Sequence, residues 1–184
     1  MFSLNLIWAP KRSVVLVTLA AVLSPSAWAG SVSAEFVLDG KPFKPTEVAA
    51  FRVRSPSDKS KFLTYVVLTT KPVDADKIGN SPDPVRSLQH GPAALGDYLS
   101  AWIETDGTIE VAAHVEGDVY TGEAYPVGSP GVPGELTGTC KVNTTKHVAC
   151  KAKTKKPSKT RDDRTCTLDI SFDTDVFAPA AGKP

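Results

Sequence analysis

The chain has 184 residues and a formal net charge of +1. This near-neutral charge excludes a protein drawn to nucleic acid or membranes by its overall charge. Removing the first 29 residues takes away the positive charges of Lys11 and Arg12 and leaves −1. The length that remains is that of one domain with a substantial core.

The N-terminus has the order of a secretory signal peptide. Lys11 and Arg12 precede an apolar run at residues 14–23, Ser24-Pro25 breaks the run, and Ala27-Trp28-Ala29 supplies the small residues of a cleavage site. The run is too short for a hydrocarbon core of about 30 Å. We therefore expect a signal peptide at residues 1–29, cleavage after Ala29, and a mature form without a transmembrane segment. The expected location is periplasmic or extracellular.

Alternating polar and apolar residues predict strands early in the mature chain. Residues 32–38 and 49–54 each alternate with a period of two, which is typical of strands with one buried face. Residues 62–68 are apolar on both faces and favour a central strand. The segment Pro84–His90 is predicted as one short helix capped by Asp83.

The clearest hairpin is centred on Asp106-Gly107. Residues 98–104 and 108–116 alternate on either side of it, and Asp-Gly between such runs is a strong turn signal. If Glu104 pairs with Thr108, Ile103 lies opposite Ile109, and the whole row on that face is apolar. Pattern and turn therefore predict the same register.

Three more strands are predicted near residues 136–142, 148–152 and 166–172, after a proline- and glycine-rich loop at 125–134. Residues 30–177 are expected to form a single β domain, and residues 178–184 a disordered tail. The predicted fold is all-β: an antiparallel β-sandwich, or alternatively a small β-barrel, with at most one short helix.

Four segments of the mature chain carry a resemblance to other proteins: F-V-L-D-G-K-P, A-F-R-V-R, Y-V-V-L-T-T-K-P-V-D-A and L-D-I-S-F-D. Together with the signal peptide, they resemble a loose group of small secreted bacterial proteins of uncharacterised function. The resemblance implies a bacterial periplasmic or extracellular setting. It implies no functional residues.

Three cysteines follow the signal peptide, and export makes a disulfide plausible. Cys140, Cys150 and Cys166 fall on the inward faces of what are predicted to be consecutive strands, with Cys150 in the middle. Cys140 and Cys166 would be two strand spacings apart, about 9.6 Å, which is too far for a bond. The preferred pair is Cys140–Cys150, with Val142 opposite Val148, and the alternative is Cys150–Cys166. Three reduced, buried thiols are the other possibility.

An aromatic and acidic face is the first candidate binding surface. The predicted register places Trp102 opposite Glu110 and Tyr98 opposite His114, and we expect Glu104 and Glu116 on the same side. Aromatic rings among carboxylates could hold a cation, a basic peptide or a sugar. The alternative is that a second sheet or a loop covers Tyr98 and Trp102.

A basic segment is the second candidate surface. Residues 87–140 contain eight acidic residues and no lysine or arginine, whereas the following stretch is rich in both. Its candidate contacts for an anionic partner are Lys151, Lys153, Lys155, Lys156, Lys159, Arg161 and Arg164. Two alternatives are a solvated strand that resists aggregation and internal pairing with the acidic hairpin. No aromatic residues interleave with the lysines, so nucleic acid is an unlikely partner.

No catalytic, cofactor or metal motif stands out. The three histidines have no metal-ligand spacing, and His147 should point away from Cys150 because residues three apart on a strand face opposite sides. The primary hypothesis is an exported, non-enzymatic binding or interaction module with an unknown ligand, such as an envelope or extracellular protein or an anionic polymer. Alternatives are a hydrolase-like enzyme with a dispersed site, or an inhibitor or immunity-type protein against an exported enzyme.

Overall fold

The computed structural model describes residues 30–55, 58–90, 95–125 and 135–177. Its strands are β1 (Ser31–Leu38), β2 (Lys41–Phe43), β3 (Glu47–Arg54), β4 (Phe62–Thr69), β5 (Tyr98–Ile103), β6 (Ile109–Val115), β7 (Asp118–Ala124), β8 (Leu136–Asn143), β9 (His147–Thr154), β10 (Ser158–Lys159) and β11 (Thr165–Phe177). Two short helices, α1 (Ala75–Gly79) and α2 (Pro84–His90), connect β4 to β5. The predicted signal peptide, the predicted tail and most of the loop at 125–134 lie outside the described residues.

The all-β prediction is confirmed: the strands form one curled, eleven-stranded sheet. We call β1, β2 and β8–β11 half A, and β3–β7 half B. All the pairings are antiparallel except one, in which Val176 and Phe177 of β11 run parallel to Ala50 and Phe51 of β3. The sheet is therefore mixed, because β11 extends beyond β1 and reaches half B.

Strand β11 joins the two halves. Along its length it pairs with β1, from Ser31 opposite Asp173 to Leu38 opposite Cys166, and also with β9, β10 and β3. Alternation along it buries Leu168, Ile170 and Phe172 and exposes the two residues between them, Asp169 and Ser171. The strand predicted near residues 166–172 is therefore part of β11, the longest strand of the described chain.

Two hydrophobic cores lie on opposite faces of half B. The larger one fills the space between the halves and includes Phe36, Tyr120 and Phe172. The smaller one lies between the outer face of half B and the helices, where Ile78 and Leu88 pack near Tyr65. As predicted, β4 is a central strand, and its residues from Leu63 onward are buried.

Each helix begins at an aspartate cap. The Asp83 carboxylate accepts the Arg86 amide at 3.0 Å, as predicted for α2, and the Asp74 carboxylate accepts the Lys77 amide at 3.0 Å in α1. Of the two helices, α2 is the one that the sequence predicts, because α1 is only five residues long and shows no helical periodicity. Neither of the helices in the described ranges has the length and apolar character needed to cross a bilayer.

The predicted disulfide joins Cys140 to Cys150, and Cys166 is a buried free thiol. The predicted partner of Val142 was wrong. A β-bulge after Cys140 shifts the register by one residue, so that Val142 lies opposite Ala149 and Asn143 opposite Val148. An extra residue in one strand of a pair produces this shift while the cysteines stay opposite each other.

Candidate functional site

The outer face of half B carries one row of side chains that changes from apolar to acidic across the sheet. Tyr65 of β4 lies opposite Trp102 of β5, Trp102 opposite Glu110 of β6, and Glu110 opposite Glu123 of β7. The β5–β6 part of this register is the predicted one. Helices cover the Tyr65 end, whereas Glu110 and Glu123 are exposed.

A groove of about 580 Å³ opens along this row. Its lining includes Trp102 and the carboxylates of Glu104, Glu110 and Glu123. Tyr125, Leu63, Ser55 and Thr108 complete it. This volume lies within the usual range of ligand sites, about 300–1,000 Å³. We call this feature the acidic groove.

The negative charges in the acidic groove act on one another. Burial raises the pKa of Glu110 above its ordinary value of 4.5, and the charges of Glu123 and Glu104 raise it further. Like charges directly opposite each other on neighbouring strands are destabilising. No lysine or arginine is among the described residues that line the groove. The described lining therefore holds these carboxylates close together with no basic side chain among them.

Two aromatic rings accompany the carboxylates. Trp102 is half-buried, and its ring centroid lies 4.5 Å from that of Tyr65 at an angle of 52°. This packing fixes the indole at the border between the covered and open parts of the face. At the other end, the Tyr125 hydroxyl donates a hydrogen bond to Glu123, which raises the pKa of the phenol. The groove therefore has an aromatic side chain near each end.

Three predicted residues of the aromatic and acidic face lie away from the groove. Tyr98 is buried in the smaller core, and its ring stacks on His114 with centroids 4.5 Å apart. Half-burial lowers the pKa of His114 and favours its neutral form. Glu116 lies in the turn after β6, where it pairs with Arg164 and Lys41. Trp102, Glu104 and Glu110 are the predicted residues that the structure brings together.

The basic candidates are spread over the molecule. Lys153 pairs with Asp169 across half A at 2.9 Å, and Lys159 and Arg161 pair with nearby aspartates. Lys151 is exposed on the same face as Lys153, while Lys155 and Lys156 are exposed in the turn after β9. Within the described ranges, these last three lysines form no ion pair.

Arg164 links three turns at one end of the sheet. Its guanidinium donates to Asp39 in the β1–β2 turn at 2.9 Å and to Glu116 in the β6–β7 turn at 2.8 Å. These contacts hold the pKa of both carboxyls below the ordinary values. Arg161 also reaches the Gly117 carbonyl. Arg164 therefore pairs within the chain with Glu116 of the acidic hairpin, as one of the two alternatives for the basic segment predicts.

His147 occupies the outer face of half A, away from Cys150. Its ring nitrogens lie 2.9 Å from an Asp173 oxygen and 2.8 Å from an Asp175 oxygen. The hydrogen bond with Asp175 is the main cause that raises the pKa of His147. The imidazole is therefore paired within the sheet, and its position agrees with the strand geometry predicted from sequence.

Glu123 and Tyr125 are groove residues that were not predicted from the sequence. Strand β7 was not predicted either, although exposed Thr121 and Glu123 alternate there with buried Gly122 and Ala124. Because Gly122 and Ala124 are small, the apolar side of this alternation is weak in the sequence. Glu116-Gly117 was the available turn signal, and both residues have positive φ, 54° and 80°. A second hairpin continuing from β6 could have been inferred from it.

Comparison of the chain with protein-family models, curated proteins and solved structures finds no match. The resemblance to small secreted bacterial proteins therefore stays an expectation. Functional inference depends on the groove geometry.

Replacing Glu110 with glutamine should stabilise the folded protein at neutral pH. Because the folded-state pKa is raised, the folded state favours the protonated carboxyl, and that stability is lost as pH rises through the folded pKa. Glu110→Gln removes this loss, so its thermal midpoint should exceed that of the parent at about pH 7. The difference should shrink below about pH 4, where the carboxyl is protonated in both states.

Glu47→Gln is the matched control, because Glu47 is exposed on β3 outside the groove and its substitution changes the net charge equally. Calorimetric scans of the three proteins at both pH values would measure the effect. A midpoint for Glu110→Gln at or below that of Glu47→Gln at neutral pH would contradict the raised pKa of Glu110.

Proposed function

We propose that this chain is an exported, non-enzymatic binding module that takes a cationic group of its partner into the acidic groove. The observation that carries the proposal is the lining: three carboxylates and two aromatic side chains, with no basic side chain among the described lining residues. A bound cation would relieve the repulsion at Glu110 and contact aromatic surface at the same time. Both effects favour the occupied state.

The size of the groove supports a ligand larger than a single ammonium ion. At about 580 Å³, it has room for a side chain together with part of the chain that bears it. An exposed cation–π contact contributes about 0.5–1 kcal/mol, so one charge alone would bind weakly. The proposed partner is therefore a basic peptide segment, presented by a protein of the same compartment.

Export is the second part of the proposal. The Cys140–Cys150 disulfide is compatible with an oxidising compartment, where such bonds persist. Together with the predicted signal peptide, it favours the bacterial periplasm or the extracellular medium. Expression of the full chain in a bacterial host should give a mature protein that begins at Gly30, as measured by N-terminal sequencing of the periplasmic and medium fractions. Detection of only the uncleaved chain in the cytoplasm would contradict export.

Binding can be tested with a short peptide in which arginine and lysine alternate with glycine and serine. Isothermal titration calorimetry should detect binding that weakens as salt rises, because the contacts are charged and partly exposed. Glu110→Gln and Glu123→Gln should each weaken it, while Glu47→Gln should not. Replacing every basic residue of the peptide with glutamate should abolish the heat of binding.

The proposal fails if the basic peptide gives no heat of binding with the folded parent protein. It also fails if Glu47→Gln weakens binding as much as Glu110→Gln does. That result would show a response to net charge without a role for the groove.

A further inference from the structure

We propose that the acidic groove selects arginine over lysine, an inference that rests on the proposed function. The geometry points to a flat cation with several donors, because two carboxylates and an indole lie in one row of the sheet. Arginine presents five N–H donors in a plane, whereas lysine presents a compact ammonium group. The ligand class is therefore an arginine-bearing peptide segment.

The side chains proposed to contact the arginine lie at regular intervals along one row of the sheet. Trp102, Glu110 and Glu123 lie directly opposite one another on three consecutive antiparallel strands. Neighbouring strands are about 4.8 Å apart, so the row extends about 9.6 Å from the Trp102 backbone to the Glu123 backbone. A guanidinium lying between them can donate to a carboxylate along one edge while its face meets an aromatic ring.

Tyr125 helps to hold the second carboxylate in place. Its hydroxyl donates to Glu123, and its ring lies near the end of the groove opposite Trp102. A carboxylate held by one hydrogen bond keeps its remaining lone pairs for a ligand. The acceptor side of the site is thereby partly preorganised, which suits the rigid fork of arginine more than the rotating ammonium of lysine.

Hydration adds to the preference for arginine. The groove is open to water on its outer side, because Glu104, Glu110 and Glu123 are all exposed residues. A strongly hydrated ammonium gains little by entering such a site. A guanidinium is more weakly hydrated, so it loses less hydration free energy when it contacts the indole face. Charge attraction is common to both cations, so stacking and hydration decide between them.

The test uses three peptides of identical sequence that carry arginine, lysine or citrulline at the same positions. Citrulline keeps the shape of arginine and removes its charge. Fluorescence polarisation with the full chain should show the arginine peptide binding about two- to fivefold more tightly than the lysine peptide. The citrulline peptide should bind far more weakly than either.

Two variants test whether the preference for arginine over lysine arises in the acidic groove. Trp102→Leu should bring the arginine affinity closer to that of lysine, since it removes the stacking surface. Glu110→Gln should weaken both peptides, and Glu47→Gln should leave both unchanged. Circular dichroism would establish that each variant keeps the β-sheet spectrum. If Trp102→Leu fails to fold, Trp102→Phe should reduce the ratio of affinities in part.

The outcomes separate this inference from the proposed function. Equal binding of the arginine and lysine peptides would overturn arginine selectivity and leave a general cation site. Absence of binding by both peptides would overturn selectivity and the proposed function together, as would citrulline binding as tightly as arginine. A preference for arginine unchanged in both Trp102→Leu and Glu110→Gln would place binding elsewhere and also overturn the inference.

Discussion

The hydrogen bonding of β11 is the constraint on which the rest of the structure depends. This strand pairs with β1, β9 and β10 of half A and, at its end, with β3 of half B. By joining the halves it encloses the larger core. The other face of half B is then left for the helices, which cover β3 and β4 near the smaller core. The groove lies on the part of this face where Glu104, Glu110 and Glu123 are exposed.

Carboxylates are paired with a cation at one place in the sheet and lie beside other carboxylates at another. At the turns, Asp39 and Glu116 meet Arg164, so their negative charges are balanced within the chain. In the acidic groove, burial of Glu110 raises the energy of its charged form, and Glu123 on the neighbouring strand raises it further. Such a local cost is common at binding sites, where stability is given up for function. The contrast supports the groove as the place where an external charge would bind.

Much of the fold and part of the groove could be predicted from the sequence. Alternation and the Asp106-Gly107 turn predict the partner of Trp102. Strand spacing excluded only Cys140–Cys166, and the correct preference for Cys140–Cys150 rested on a Val142–Val148 register that the structure does not have. The alternation of polar and apolar residues does not indicate the bulge after Cys140. The depth at which Tyr98 lies depends on packing with distant helices, so it could not be read from local sequence. Likewise, the partners of Arg164 come from turns far apart along the chain.

The central claim about the site is that burial and the neighbouring carboxylates disfavour the charged form of Glu110, and carbon-13 NMR of the glutamate carboxyls measures the resulting pKa directly. In a pH titration of the full chain, Glu110 should titrate above its ordinary value of 4.5. Addition of the arginine peptide should lower that pKa, because a nearby cation favours the charged carboxylate. A Glu110 pKa at or below the ordinary value in the free protein would contradict the account.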